Sequence, residues 1–181
     1  MTIIFDIDGT LTDMWPLERA VIAAMLGPRA SKHIDALKET CQYSNLRLYR
    51  TCAHSTISAQ AFRERYNRVF QSLARRRALP VLKPSPLVGW IRTNKNRFRF
   101  VYATGGQAQE TWYVLKRLRI LNAFEISRSI DRSSCRFCKS TGIPFLRIQR
   151  AVADECIMVT DSIADVRGAK KAVIPSILVA L

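Results

Sequence analysis

Met1-Thr2-Ile3-Ile4-Phe5-Asp6-Ile7-Asp8-Gly9-Thr10-Leu11-Thr12 is the stretch whose reading decides the fold. Ile3-Ile4-Phe5 is a short apolar run of the kind that forms a buried strand. It ends in two carboxylates at i and i+2, followed by a glycine and a threonine. Asp-Gly is a common turn dipeptide, so an ordinary strand-to-turn junction is one reading. That reading leaves the acids unexplained. Two aspartates on one face at the carboxyl end of a buried strand repel and desolvate each other unless a cation, or a proton on one of them, relieves the clash.

The rest of the chain sets the limits within which that site must work. At 181 residues, 48% hydrophobic and 24% charged, it has room for one well-buried domain with a small insertion and is too apolar for long disorder. Lys and Arg number 29 against 14 Asp and Glu, a formal charge of +15 that favours anionic partners without choosing among phosphate esters, nucleotides, nucleic acid and anionic membrane surfaces. The first strand begins at residue 3, so no leader is expected, and the five cysteines, Cys41, Cys52, Cys135, Cys138 and Cys156, are scattered. A reducing cytoplasm is the expected setting. No apolar run approaches the roughly 20 residues needed to span a bilayer, so no membrane is expected.

Past the opening stretch the periodicity becomes helical. Pro16 pre-sets the first turn of a helix running through Leu26 and stopped by Gly27-Pro28. Ser31 is placed to cap a second helix reaching about Gln42, with Ile34, Leu37 and Cys41 at helical spacing. A third helix is predicted from about Ser58 to Leu79 on the stripe Ala61, Phe62, Tyr66, Val69, Phe70 and Leu73, whereas 43–57 is less periodic. Residues 14–79 therefore read as an all-helical insertion into an α/β domain made of 1–13 and 80–181. Arg75-Arg76-Arg77 at the end of its last helix suits the helix dipole and needs no ligand. Arg47, Arg50 and His54 are further candidates for substrate contact.

Three prolines over 80–86 mark the return to the main domain, and a short helix over about 86–93 follows. In 97–104, Phe98, Phe100 and Tyr102 alternate with other side chains, and the run closes in Ala103-Thr104-Gly105-Gly106. Again a strand ends in a hydroxyl residue and glycine, whose exposed N–H groups suit an anion. A helix over roughly 107–118 opens toward the same place. A strand is expected at Phe124 to Ser127, then a polar loop holding Cys135-Arg136-Phe137-Cys138-Lys139, then a helix from Ile143 to Val152. Structural zinc wants four ligands and no second pair follows the Cys-x-x-Cys, so a surface loop is the plainer reading. Finally Cys156-Ile157-Met158-Val159-Thr160 is an apolar strand ending in Asp161-Ser162-Ile163-Ala164-Asp165. Asp165 suits the first turn of a helix, but that does not explain Asp161, which suggests a shared hard cation with oxygen ligands.

Asp6-Ile7-Asp8-Gly9-Thr10 resembles the Asp-x-Asp-Gly-Thr signature of the haloacid dehalogenase superfamily, and Thr104, Lys139 and the Asp161/Asp165 pair resemble its later motifs in order. The match is to phosphoglycolate phosphatase-like members with a helical cap. The resemblance implies a three-layer, Rossmann-like α/β fold with a central parallel sheet and an inserted all-helical cap over 14–79. It implies that Asp6 is a nucleophile toward phosphorus, Asp8 the general acid and base, Thr104 a hydroxyl on the phosphoryl group and Lys139 a cation steadying both. Gly9, Thr10, Gly105 and Gly106 would surround the phosphate. Asp6, the backbone carbonyl of Asp8, Asp161 and Asp165 would hold Mg2+, Asp165 directly or through water. The chain departs from the family pattern at Thr160, where glycine is common, at Ser140, where proline often follows the lysine, and at Val173, where glycine often follows Ala-Lys-Lys-Ala.

The expected function is thus a Mg2+-dependent phosphatase of a small phosphorylated metabolite, working through an aspartyl-phosphate. An acid at i+2 supports this over dehalogenation, because an alkoxide leaving group needs a proton and a halide does not. The charge of +15 keeps a nucleotidase, a nucleic-acid end phosphatase or a basic nucleic-acid-binding protein in view.

Overall fold

A computed structural model of the chain describes residues 1–38, 40–41 and 44–180. The chain divides into two compact units, Met1–Asp13 with Leu82–Leu181, and Met14–Val81.

The first unit is built on a parallel sheet. β1 (Thr2–Phe5) is buried at every position and lies between β2 (Arg99–Tyr102) and β3 (Cys156–Thr160), with β4 (Ser176–Leu178) beyond β3. Phe5 pairs with Tyr102 on one side and with Val159 on the other, so the three central strands end level. A near-continuous apolar run is what a parallel strand covered on both faces requires, and Ile4, Val101 and Met158 are completely buried. Phe5 meets the Phe100 and Phe124 rings edge to face, and those two rings pack tilted against each other.

The second unit is helical. α1 (Trp15–Leu26) has proline in its first turn and ends at Gly27, whose φ of 81° only glycine adopts without strain. It buries Leu17, Val21, Ile22 and Met25, a stripe worth about 1.5–3 kcal/mol per fully buried side chain. The helix expected from Ser31 is shorter and starts later. Residues Ala30–His33 form a 3-10 turn, the Ser31 hydroxyl donates to the Pro28 carbonyl instead of capping, and α2 spans only Ile34–Leu37. The expected end at Gln42 lies outside the described residues. α3 (Asn45–Ala53) falls where the periodicity was weak, started by the Ser44 hydroxyl accepting from the Arg47 amide. α4 (Ala59–Arg75) starts from Ser58 in the same way and buries Phe62, Tyr66 and Phe70, but it stops at Arg75, short of Leu79. Arg65 ties this unit together, donating to the Tyr49 hydroxyl at 2.8 Å and to the Met25 carbonyl at 2.9 Å.

α5 (Pro86–Asn94), α6 (Ala108–Arg117), α7 (Ile143–Val152) and α8 (Ile163–Lys171) complete the first unit. No strand forms at Phe124 to Ser127. Phe124 makes a single bridge to Phe100, and Ile126–Arg128 turns as a 3-10 helix closed by the Ser129 amide on the Ile126 carbonyl. The segment still follows the free edge of β2, the Glu125 amide donating to the Phe100 carbonyl and the Ile130 amide to the Tyr102 carbonyl, but the turn between them breaks it into two separate bridges.

Val173, standing where a glycine was expected, has φ of 58° and is 86% exposed. A β-branched residue in the left-handed region costs about 1–2 kcal/mol, and this side chain has little packing to offset it. Val173→Gly should therefore raise stability by about 0.5–1 kcal/mol after the entropic cost of glycine, read as a higher urea midpoint.

Candidate active site

The level ends of the three central strands set three segments side by side. The Asp6 amide donates to the Val159 carbonyl and the Ala103 amide to the Phe5 carbonyl, which carries the register one residue past the strands. Asp6, Thr104 and Asp161 therefore emerge at one edge of the sheet, where ligands gather in parallel α/β folds.

Asp6 is only 6% exposed. Its Oδ1 accepts from the Ile7 amide at 2.8 Å and meets Lys139 Nζ at 2.7 Å. Lys139 is ion-paired with Asp165 as well, so one ammonium joins two buried carboxylates. Burial pushes the Asp6 carboxyl up to about 7; Lys139 opposes that rise and Asp165 adds to it. Burial also works against the Lys139 ammonium, but Asp6 and Asp165 outweigh it and hold its pKa above the ordinary lysine value. The cluster carries one positive charge against two acids, which leaves it short of positive charge.

Lys139 reaches this position because its backbone opens a 3-10 turn, Lys139–Thr141, packed against α8. The approach is very close: a Cβ on Gly168 would lie 2.0 Å from the Lys139 carbonyl oxygen and 2.9 Å from the Phe145 ring. Asp165, in the first turn of α8, is buried facing Lys139. Thr160 holds it there, the hydroxyl donating to Asp165 Oδ2 at 3.2 Å while accepting from the Ser162 amide at 3.0 Å. The departure from glycine at Thr160 thus supplies a bond to the acid. At Ser140, the other departure near the lysine, the carbonyl accepts from Lys171 Nζ at 2.9 Å.

A second polar group lies beside the first. The Thr10 hydroxyl donates to Asp161 Oδ1 at 3.0 Å and accepts from the Asp161 amide at 3.1 Å. Gly9 has φ of 70°, and a Cβ there would sit 2.0 Å from Asp161 Oδ2. Only glycine lets the Asp161 carboxylate come this close to the backbone that follows Asp8. The Asp8 side chain is exposed, and its backbone bridges to Thr12 across the turn.

Thr104 lies just past β2, its hydroxyl accepting from the Gly106 amide at 3.1 Å. Thr104, Gly105, Lys139 and Asp165 line a cleft of about 240 Å³ together with the loop from Asp131 to Cys138. That loop is fastened by Asp131, a buried acid to which the sequence drew no attention. Its Oδ1 accepts from the amides of Ser133 at 2.7 Å and Ser134 at 3.0 Å. The Asp-x-Ser-Ser pattern of such a turn was the available signal. Cys135 is buried, Cys138 is exposed, and both are free thiols. Among the described residues no three Asp, Glu, His or Cys side chains form a metal cage.

A family model described as a haloacid dehalogenase-like hydrolase matches residues 1–172. No curated protein matches the chain. Solved structures do. A hydrolase of haloacid dehalogenase family IA, variant 3, from Entamoeba histolytica is 18% identical, with TM-score 0.75 over 99% of this chain and 83% of that one. CbbY from Rhodobacter sphaeroides, solved in complex with phosphate, is 18% identical, with TM-score 0.74 over 99% of this chain and 86% of that one. A predicted phosphoglycolate phosphatase from Haemophilus somnus 129PT is 16% identical, with TM-score 0.70 over 98% and 84%. At these identities the likeness is one of fold.

The tight seat of Lys139 on α8 predicts a contrast between two glycines. Gly168→Ala, with backbone oxygen in its way, should lower stability by about 2–3 kcal/mol. Gly105→Ala meets nothing within 4 Å and should stay within about 0.5 kcal/mol of the parent in the same denaturation experiment.

Proposed function

The chain belongs to the haloacid dehalogenase-like hydrolase family, and on that premise we propose that it is a Mg2+-dependent phosphatase of a small phosphate monoester, working through an aspartyl-phosphate on Asp6. The observation that carries this reading is the contact of Asp6 with Lys139 at 2.7 Å, deep at the sheet edge. The ammonium favours the ionised form of a carboxylate that burial alone would protonate, and ionisation is what makes it a nucleophile.

In the first step an Asp6 oxygen attacks phosphorus and the bond from phosphorus to the ester oxygen breaks. Asp8 gives its proton to that leaving oxygen. In the second step Asp8 takes a proton from water as the water oxygen attacks phosphorus, and the bond to Asp6 breaks to release phosphate. Each acid is thereby restored. The Thr104 hydroxyl, oriented by the Gly106 N–H, and the Gly105 N–H hold the phosphoryl oxygens, and Lys139 balances the charge. Thr10 serves the site through Asp161, which its hydroxyl orients.

The donor set suits Mg2+, which takes one or two carboxylates, waters and substrate phosphate rather than a closed protein cage. Asp6 and Asp161 supply hard carboxylate oxygens, and the cradle at Gly9 brings Asp161 against the backbone that carries the Asp8 carbonyl. Asp165 is committed to Lys139 and Thr160, so its part is to hold the lysine, with any metal contact passing through water. When bound, the metal neutralises phosphate and supplies the positive charge that the acids lack. On this reading the helical unit Met14–Val81 is the cap, the part of the chain that selects substrate. The fold that this chain shares with CbbY, solved in complex with phosphate, and with a predicted phosphoglycolate phosphatase supports the same reading.

Phosphate release from a panel of phosphate monoesters tests the proposal. Turnover should need Mg2+, and Asp6→Asn should lower kcat on the order of a thousandfold or more. Metal-independent turnover, or an Asp6→Asn protein as active as the parent, would sink it. Asp165→Asn should leave turnover measurable but weakened by about 10- to 100-fold, because it loosens Lys139 without removing the nucleophile.

A further inference from the structure

The cleft beside Lys139 is lined by one further basic side chain. Arg132 lines it within the loop from Asp131 to Cys138, and so does Phe137, whose ring carries the Arg136 guanidinium 5.3 Å above its centre. Arg132 donates to the Arg136 carbonyl at 3.1 Å, which holds the loop in shape. Among the described residues neither arginine forms an ion pair with a carboxylate. The one acid in this loop, Asp131, is buried and turned to the Ser133 and Ser134 amides. The Arg132 amide donates to the Gly106 carbonyl at 2.9 Å, so the loop is pinned to the turn that carries Thr104. Arg132 therefore lines the cleft on a loop tied to the turn that carries Thr104, and Arg136 lies next to it over the Phe137 ring.

We infer that the preferred substrate carries a second anionic group, carboxylate or phosphate, which docks on Arg132 and Arg136 while the phosphate to be cleaved lies at Asp6 and Lys139. This rests on the phosphatase reading of the site. Guanidinium forks bind planar or tetrahedral oxyanions through paired hydrogen bonds, which positions the molecule as well as attracting it. Selection of the substrate is then shared by the α/β unit itself, on a loop tied to the phosphate-facing turn.

Calorimetric binding to the Asp6→Asn protein with Mg2+ tests this without turnover. The probes are matched pairs, 3-phosphoglycerate against glycerol 3-phosphate, and fructose 1,6-bisphosphate against fructose 6-phosphate. At least one member bearing the second anion should bind about 10- to 100-fold tighter than its partner, the size of one or two charge-assisted hydrogen bonds. The larger preference tells whether carboxylate or phosphate is the natural group. Adding Arg132→Gln and Arg136→Gln should bring that ratio close to unity, and Arg132→Lys with Arg136 kept should restore part of it. Equal binding within both pairs, or a preference that survives both glutamines, would overturn the inference. A preserved preference in a protein that releases no phosphate would instead count against the reaction while leaving the docking of the second anion in place.

Discussion

The buried contact of Lys139 with Asp6 and Asp165 is the constraint to which the rest of the first unit conforms. Two carboxylates withdrawn from water are costly, and one ammonium offsets only part of that cost. Burial pushing Asp6 up to about 7 expresses the remaining imbalance. Every neighbouring feature meets it in some way. The Ile7 amide donates to Asp6, the Thr160 hydroxyl to Asp165, and Gly168 allows the lysine backbone to lie against α8. A structural ion pair would have been cheaper as apolar packing. A cluster that stays short of positive charge suits a site that takes up a cation and transfers a phosphoryl group.

The sheet order is what makes the cluster possible. With β1 central and β2 and β3 beside it in level register, residues widely separated in sequence arrive at one edge. The acids follow the innermost strand, the threonine and glycines follow one neighbour, and Asp161 follows the other. Lys139 comes from a turn rather than a strand, so its position depends on close packing at Gly168 and Gly142, where a Cβ would lie 2.9 Å from the Lys171 side chain. The offset loop at Asp131 continues the same edge and sets the second boundary of the cleft.

The parallel α/β class was legible because its strands are short apolar runs that end in unusual polar residues. Asp6 after Phe5 and Asp161 after Thr160 are local signals that survive without knowledge of packing. The helical stretch was less legible. Ser31 looked like a cap, yet its hydroxyl turns to Pro28, since a serine bonds to whichever backbone group the chain brings near. α3 was missed although Ser44 caps it, because only Leu48, Tyr49 and Cys52 are buried on so short a face. The expected strand at Phe124 is reduced to bridges at Phe124 and Ile130, because the chain turns at Ile126–Arg128 between the two places where it bonds to β2. Within the site, Thr160 was noticed as a departure, but its bond to Asp165 depends on tertiary placement. The loop cations could be seen in the sequence, whereas the burial of Asp131 that leaves them without an acid could not.

The most direct measurement is peptide mapping of the protein after acid quench during turnover of a phosphate monoester with Mg2+. A covalently bound phosphoryl group on Asp6, and on no other residue, is the predicted result. Steady phosphate release with no phosphoryl group on Asp6, or with one on a different residue, would contradict the account.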